Sequence, residues 1–431
     1  MPAVATRPEP KTLADAVQRN LSDPTRGKPL WAGPCGAGPQ GGVTQGLVAK
    51  YLVCPERFRV KTIEGLAPGD RFSKVLEYGN CWHVCEESFA AHGDARWPIA
   101  LTEYAKGLLA KYPFSRDDVE KWFEICKLQF PIYVRYWAKH KDVLQRKPLL
   151  QEYELDVQHA LPSGRVVRLR GKLDSLDAVG SGREAGLWIQ ENKSKGDIDE
   201  QQLRKQLLFD LQSMTYLVAF NDYRQGCNVD GLFAAPLKGI RYNVIRRPLS
   251  GGKGSIKQHE ASRGAKCPKC KEARSVTIKG VTIKCPKCGG AGRVNAKPAE
   301  TKAAYLARLG KYISDEPETY FMRWNVAVSA EDVRRFRERC LDPLLENIAD
   351  DYEWWAFCKA NGMNVFDGQK RAERFDHCKR HFVFPFGVYS PLTDGGATDA
   401  DEFVMTGNTV GLQRVTNLFP ELQNADPCQE S

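Results

Sequence analysis

Gly171-Lys-Leu-Asp174 is followed, after sixteen intervening residues, by Glu191-Asn-Lys193. Asp174 lies near the end of a run that alternates as a strand, and Glu191 directly follows the apolar run Leu187-Trp-Ile-Gln190. Strand alternation puts Glu191 and Lys193 on one side of their strand. If the two strands pair, two carboxylates and one ammonium converge on a single point. Hard oxygen ligands of this kind suit Mg²⁺ or Mn²⁺. Such an ion, bridged to a phosphodiester, activates water and stabilises the charge that develops on the phosphorus oxygens. A lysine beside it can hold the nucleophilic water and lower its pKa. Taken singly, Asp174 also reads as a turn residue and Lys193 as a surface strand residue; their order favours the chemistry.

Two further pairs point the same way. Gln212 and Tyr216 are four apart on an apolar helix, and so share one face. An amide and a phenol projecting together can bind a nucleic-acid backbone or base, although Tyr216 also reads as core. Upstream, Gly79-Asn-Cys-Trp-His83 puts His83 and Glu87 on one helical face, where a neutral imidazole could complete a metal shell. Glu152 and Glu154 precede the motif on a strand; solvent-facing positions are the preferred reading, auxiliary ligands the other. Lys195 reads equally as a phosphate contact and as an exposed loop residue.

Cys267-Pro-Lys-Cys270 and Cys285-Pro-Lys-Cys288 are fourteen residues apart. Four thiolates in two such pairs suit a tetrahedral, structural Zn²⁺ with no open coordination position. Between them, two β-branched runs meet at Gly280, a hairpin signal, so the segment is expected to be a zinc ribbon. It is also where the charge sits. Residues 251–300 carry nine lysines and three arginines against three glutamates, a net of +9 in a chain whose total is +10. A dense local field of that sign is the footprint of a polyanion partner, most often nucleic acid. The remaining cysteines are scattered, and without a secretory signal a disulfide framework is not expected. His377, Cys378 and His381 are taken as a basic surface rather than a metal site, and Trp354 and Trp355 as packing.

The elements that must position these groups can be outlined. The apolar share of 42% allows a sizeable core. With no apolar run of membrane length and no secretory h-region at the N-terminus, the chain is expected to be a soluble, cytoplasmic protein without a membrane partner. Residues 1–43 read as an extended Pro/Gly-rich arm, and 44–148 as a helical part. Residues 149–250 read as a catalytic α/β core, 251–300 as the basic insertion, and 301–431 as a last strand, a long helix and an extension. Strands are expected at 149–157, 166–176, 187–190, 228–235 and 318–328, and helices at 44–58, from 73, within 101–141, at 199–220 and at 330–358.

GNCWH with Glu87, GKLD, ENKSKG and QSMTY, in that order, closely resemble the PD-(D/E)XK nucleases of the RecB-like branch over about Thr44 to Phe220. The branch includes phage-type exonucleases and CRISPR-associated adaptation nucleases. The resemblance implies a restriction-endonuclease-like fold, a mixed central sheet flanked by helices, here with an inserted zinc ribbon. It implies His83, Asp174 and Glu191 as Mg²⁺ or Mn²⁺ ligands with the Asn192 carbonyl, and Lys193 as catalytic lysine. Gln212 and Tyr216 would contact DNA beside the scissile phosphate. Cys54-Pro-Glu-Arg-Phe58 is similar to the element whose cysteine joins a [4Fe–4S] cluster in some relatives. Cys340, Cys358, Cys378 and Cys428 are too dispersed for its other ligands, so that cluster is not expected. A basic ribbon is not general to the branch. The implied activity is a metal-dependent deoxyribonuclease, an exonuclease serving recombination, repair or phage DNA metabolism, with recombination or replication proteins as partners. The other classes are a non-catalytic DNA-binding protein that recruits through the ribbon, and an RNA-processing protein.

Overall fold

A central sheet is built from Arg146–Ala160 (β1), Val166–Val179 (β2), Gly186–Lys195 (β3), Leu237–Arg246 (β4) and Phe321–Ala327 (β5), in the order β5-β4-β3-β2-β1. The computed structural model describes residues 29–68, 72–140, 146–226, 231–249, 256–262, 264–278, 280–295, 297–361 and 412–422, with short strands at 383–384 and 387–388. Only β3 and β4 run parallel; the other neighbours are antiparallel. A parallel pair cannot be closed by a hairpin and needs a crossover. The principal helices are Gln45–Val53 (α1), Lys74–His92 (α2), Trp97–Lys111 (α3), Arg116–Trp137 (α4), Glu200–Leu207 (α5), Leu211–Gly226 (α6), Lys302–Asp315 (α7), Ala330–Phe336 (α8) and Asp342–Ala360 (α9). The crossover is α5 and α6.

Each face of the sheet is covered. Met214, Leu217 and Phe220 of α6 join Leu155, Leu169, Leu173, Ile189 and Val244 in one buried cluster, which α1 and α9 extend. On the other side Tyr78 and Trp82 of α2 and Phe130 and Tyr133 of α4 cluster with Ile245 and Phe321. The Trp82 ring meets Phe130 and Tyr133 edge-on at 5.3 and 5.0 Å, the favoured geometry for aromatic pairs. This is the mixed, helix-flanked α/β sheet expected from the sequence. None of the described helices is long and apolar enough to cross a membrane.

Several boundaries differ from expectation. The expected strand at 228–235 is, where described, a 3₁₀ turn at Gly231–Ala234, and the strand begins at Leu237. Along β4 the apolar Ile240, Tyr242 and Val244 alternate with buried Arg241 and Asn243, which bond Asn325 and Asn192. A polar residue that looks solvent-facing in sequence is thus an internal contact. The expected helix at 199–220 breaks at Phe209, whose φ is 55°, and Asp210 accepts the Ser213 N–H as the new helix starts. The expected helix at 330–358 unwinds by a π-turn at Arg337–Leu341, just before Pro343, which can donate no backbone bond. Residues 29–43 are not a free arm. Trp31 is fully buried, its indole donates to the Gly42 carbonyl at 2.8 Å, and Val43 bridges to Leu169 of β2.

The insertion leaves the sheet at the end of β4. Lys195, near the end of β3, pairs with Arg246, where β4 stops. The two Cys-Pro-Lys-Cys knuckles then bring four sulfurs together. Ser275–Ile278 and Val281–Lys284 form an antiparallel hairpin through Gly280, whose φ of 81° only glycine adopts readily. His377, Cys378, His381 and Cys428 lie outside the described residues.

One buried group ties three elements together. The fully buried His159 of β1 holds Asp222 of α6 through Nδ1 at 2.6 Å and Asp342 of α9 through Nε2 at 2.8 Å. Burial alone would lower its pKa, but the two carboxylates outweigh that and raise it. A raised pKa in the folded state contributes stability that is complete below the unfolded value, about 6.5, and is lost as pH rises through the folded value. Urea unfolding should therefore show stability falling above that pH, and His159→Gln should flatten this part of the profile.

Candidate active site

The site is a fork in the sheet. β2 and β3 pair from Val179↔Gly186 to Ser175↔Gln190 and no further. Beyond that point β2 stays with β1, and β3 follows β4 out to Lys195↔Arg246. Asp174 and Glu191 are the first residues past the split, one on each branch. The Asn192 backbone N–H spans the gap, donating to Asp174 Oδ2 at 2.6 Å.

Helices close the fork from both sides. α2 starts at Ser73, whose hydroxyl accepts the Leu76 N–H, and carries His83 to the site. His83 Nδ1 lies 3.0 Å from Glu152 Oε1 and 3.6 Å from Asp174 Oδ1. Ligand atoms of His83, Glu152 and Asp174 all fall within 4.8 Å of one another. From α6, Gln212 Oε1 accepts from Lys193 Nζ at 2.6 Å, and Lys193 Nζ lies 2.8 Å from Glu191 Oε1. The structure thus brings every candidate of the motif to one place, but divides them. Glu191 pairs with Lys193, while the converging trio takes Glu152 instead.

Glu152 departs from the expectation of a solvent-facing strand position. Its side chain is 6% exposed and is held by His83 and by Lys172 Nζ at 3.1 Å. The cause is backbone geometry: its φ is 46°, and residues 152 and 174 drop out of the β1–β2 ladder. A non-glycine residue in this region costs about 1–2 kcal/mol. Two acidic positions two apart were visible in the sequence; the turn that selects one of them was not. Tyr216 is chiefly core, 6% exposed, with its hydroxyl accepting from Gln212 at 3.4 Å. A Cβ on Gly171 would lie 2.6 Å from the Tyr216 ring, so this glycine is what lets α6 approach β2. Lys195 is half-buried at the end of β3, and Glu87 is exposed.

Electrostatics set the chemistry. Burial, then the nearby Glu191, raises the Asp174 pKa well above the carboxylate range. Burial also raises Glu191, with Lys193 opposing. For His83 the shielding lowers the pKa, but Asp174 and Glu152 override it and bring it to about 10. Lys193 is raised, since Glu191 outweighs its burial. Glu191 Oε2 is moreover buried with no hydrogen-bond partner among the described residues. A hard divalent cation fits this donor set of carboxylate oxygens and one imidazole. Behind it, Glu86 and Asn243 bond the Asn192 side chain and so fix that strand residue.

A second metal-ligand group lies in the insertion. Cys267 and Cys285 sulfurs are 3.8 Å apart, and those of Cys270 and Cys288 are 3.6 Å apart. These separations are too long for disulfides. They match the edge of a tetrahedron with metal–sulfur bonds of about 2.3 Å, the Zn²⁺ value. Backbone N–H of Cys270 holds the Cys267 thiol down at about 7, favouring the thiolate that binds metal. Among the described residues, Cys54, Cys340 and Cys358 join no such group.

A family model described as the PD-(D/E)XK nuclease superfamily matches residues 43–355, roughly three quarters of the chain. The match takes in the whole fork and the four-cysteine insertion. No curated protein matches the chain.

Two outcomes follow from this geometry. Metal binding must displace the His83 proton and any held by the raised Asp174 and Glu191 carboxyls, so calorimetry in buffers of differing ionisation heat should show release of at least one proton. Apparent Mn²⁺ affinity should then rise with pH across the neutral range, because the raised His83 must lose its proton to bind, and Glu152→Gln should weaken it. Gly171→Ala should cost about 1–3 kcal/mol of unfolding free energy, the range for overpacking.

Proposed function

Because this chain belongs to the PD-(D/E)XK nuclease superfamily, we propose that it is a metal-dependent deoxyribonuclease of the RecB-like type, an exonuclease that grips DNA through a basic zinc ribbon. The observation that carries this reading is the convergence of His83, Glu152 and Asp174 within 4.8 Å, beside the Glu191–Lys193 pair. His83, Glu152, Asp174 and Glu191 would hold Mg²⁺ or Mn²⁺, with the Asn192 carbonyl as a further oxygen. When bound, the ion would lower the pKa of water and neutralise charge on the phosphate oxygens.

The chain's own residues do the rest. Glu191 and Gln212 hold the Lys193 ammonium in place, where it orients the attacking water and faces the charge that develops on phosphorus oxygens. Lys193 stays charged because its raised pKa keeps the proton on. Gln212, bonded to Lys193, would contact the strand being cut, and Lys195, two residues along the same side of β3, would take the neighbouring phosphate. Tyr216 supports Gln212 from the core.

The ribbon has a physical reason to act with this site. It begins where β4 ends, opposite Lys195. The segment 251–300, with its net charge of +9, thus follows in the chain directly after the strand that pairs with Lys193 and Lys195. Phosphate contacts of this kind position the duplex or a displaced strand without reading sequence. Recombination, repair or phage DNA metabolism are the settings that suit such an enzyme.

The test is cleavage of linear and circular DNA, single- and double-stranded, with Mg²⁺, Mn²⁺ or EDTA. Wild type should cut only with metal, and Lys193→Ala and Asp174→Ala should each lower the rate by at least about 10²-fold, as for loss of one transition-state contact. Cutting confined to linear DNA is the exonuclease result, and preference for RNA substrates would move the assignment. Salt-sensitive DNA binding without cleavage under any condition would overturn the nuclease reading in favour of a binding protein. Cys285→Ser should weaken DNA binding and flatten its dependence on salt.

A further inference from the structure

The hairpin of the four-cysteine insertion has two faces of opposite character. Val276 pairs with Ile283 and Ile278 with Val281, and strand alternation puts these four on one side. Ser275, Thr277, Thr282 and Lys284 take the other. A face of β-branched apolar side chains is what a strand normally turns to a core. The insertion's own core is too small to take it. Three buried cysteines carry Val276, Cys288 and Val294 packed on them, so of the four only Val276 has a place there. Ile278, Val281 and Ile283 are left 44%, 62% and 41% exposed. Three neighbouring apolar side chains held out on one hairpin face mark a contact surface.

The surroundings say what the contact is made with. A net charge of +9 over residues 251–300 attracts a polyanion and repels a second copy of the same segment. Cys288 and Val294 also line an open groove of about 660 Å³, together with Lys266, Lys287 and Arg293. Glu272 answers Lys266 and Arg293 with a single charge, so the groove stays cationic. The segment contains no Phe, Tyr or Trp, and so lacks the rings on which single-stranded bases stack. Nor can an all-apolar face answer the donors and acceptors of a major groove. Aliphatic side chains do fit a minor groove, wedging at base steps while cations hold the flanking phosphates.

We propose that the hairpin seats its apolar face against the minor groove of duplex DNA, with the groove of Lys266, Lys287 and Arg293 holding the adjoining phosphates. This rests on the reading that the insertion grips DNA, and it assigns that grip to duplex rather than to a displaced strand. Ile278 and Val281 flank the turn at Gly280 and form the leading edge of the contact. Apolar contact adds affinity without releasing counterions, whereas the phosphate contacts weaken as salt rises. The two contributions are therefore separable.

The test is binding of the full chain to a short A·T-rich duplex and to its single strand, over a range of salt, with no added Mg²⁺ and no chelator. Ile278→Thr combined with Val281→Thr keeps β-branched side chains in the hairpin and removes its apolar character. Duplex affinity should fall about tenfold, the order of two partly buried aliphatic side chains, with salt slope and single-strand affinity unchanged. Lys287→Gln should instead lower the slope by about one. A minor-groove-binding drug should weaken wild-type binding to the level of the double variant. Wild-type affinity that the drug leaves unchanged overturns the minor-groove assignment, whether or not the double variant folds. Equal affinity of wild type and double variant, with Lys287→Gln still shifting the slope, overturns the apolar contact and leaves the grip on DNA standing. No effect from either substitution sinks both. Cleavage is scored separately, so a protein that passes these tests without cutting DNA loses the nuclease reading and keeps this one.

Discussion

Buried negative charge is the constraint on which the rest of this molecule depends. Three acidic side chains, those of Glu152, Asp174 and Glu191, are 6%, 9% and 3% exposed and share one cleft. Lys172, Lys193 and His83 stand against them, yet burial still leaves Asp174 and Glu191 with raised pKa values. Charges held this way persist only where the surroundings over-determine them. A helix on each side, a backbone N–H across the gap and a left-handed residue on β1 together do so. The buried, unpartnered Glu191 Oε2 and the converging carboxylate oxygens are what suit the cleft to a hard cation.

Sheet topology turns that constraint into a directional site. Antiparallel β2 and parallel β4 compete for opposite edges of β3, and the sheet parts where their pairing ends. Asp174 and Glu191 occupy the first positions past the end of the β2–β3 pairing, one on each branch. Because β3 and β4 run parallel, their ends emerge together, and Arg246 at the end of β4 pairs with Lys195, two residues beyond Lys193. An insertion between antiparallel β4 and β5 costs the sheet little, since their ladder from Gly239↔Ala327 to Ile245↔Phe321 closes without it.

The fork must be held open against the pull of strand pairing, and the layers outside the sheet do this. Trp31 and Val43 strap the chain's described N-terminal end onto β2. His159 joins β1 to α6 and α9. Near the other end of α9, Trp355 donates to Glu64, which pairs with buried Arg59 at 3.2 Å. The His159 contacts bind α9 to α6, the helix that supplies Gln212 and Tyr216, so packing remote from the site supports the partner of Lys193.

Much of this was legible in the chain alone. The spacing of Asp174, Glu191 and Lys193, the helix that carries His83, and the two cysteine knuckles depend on residue type and local periodicity, which a sequence displays. Strand alternation correctly placed Glu191 and Lys193 on one side of β3. Other features were invisible for a physical reason. Whether Glu152 or Glu154 turns inward depends on one backbone angle, and whether Arg241 and Asn243 mark a loop or a buried strand depends on partners more than fifty residues away. Local sequence thus determined which chemical groups are present and in what order. Tertiary structure alone decided which of them share a buried space, because burial and charge are properties of the assembled neighbourhood rather than of any residue in it.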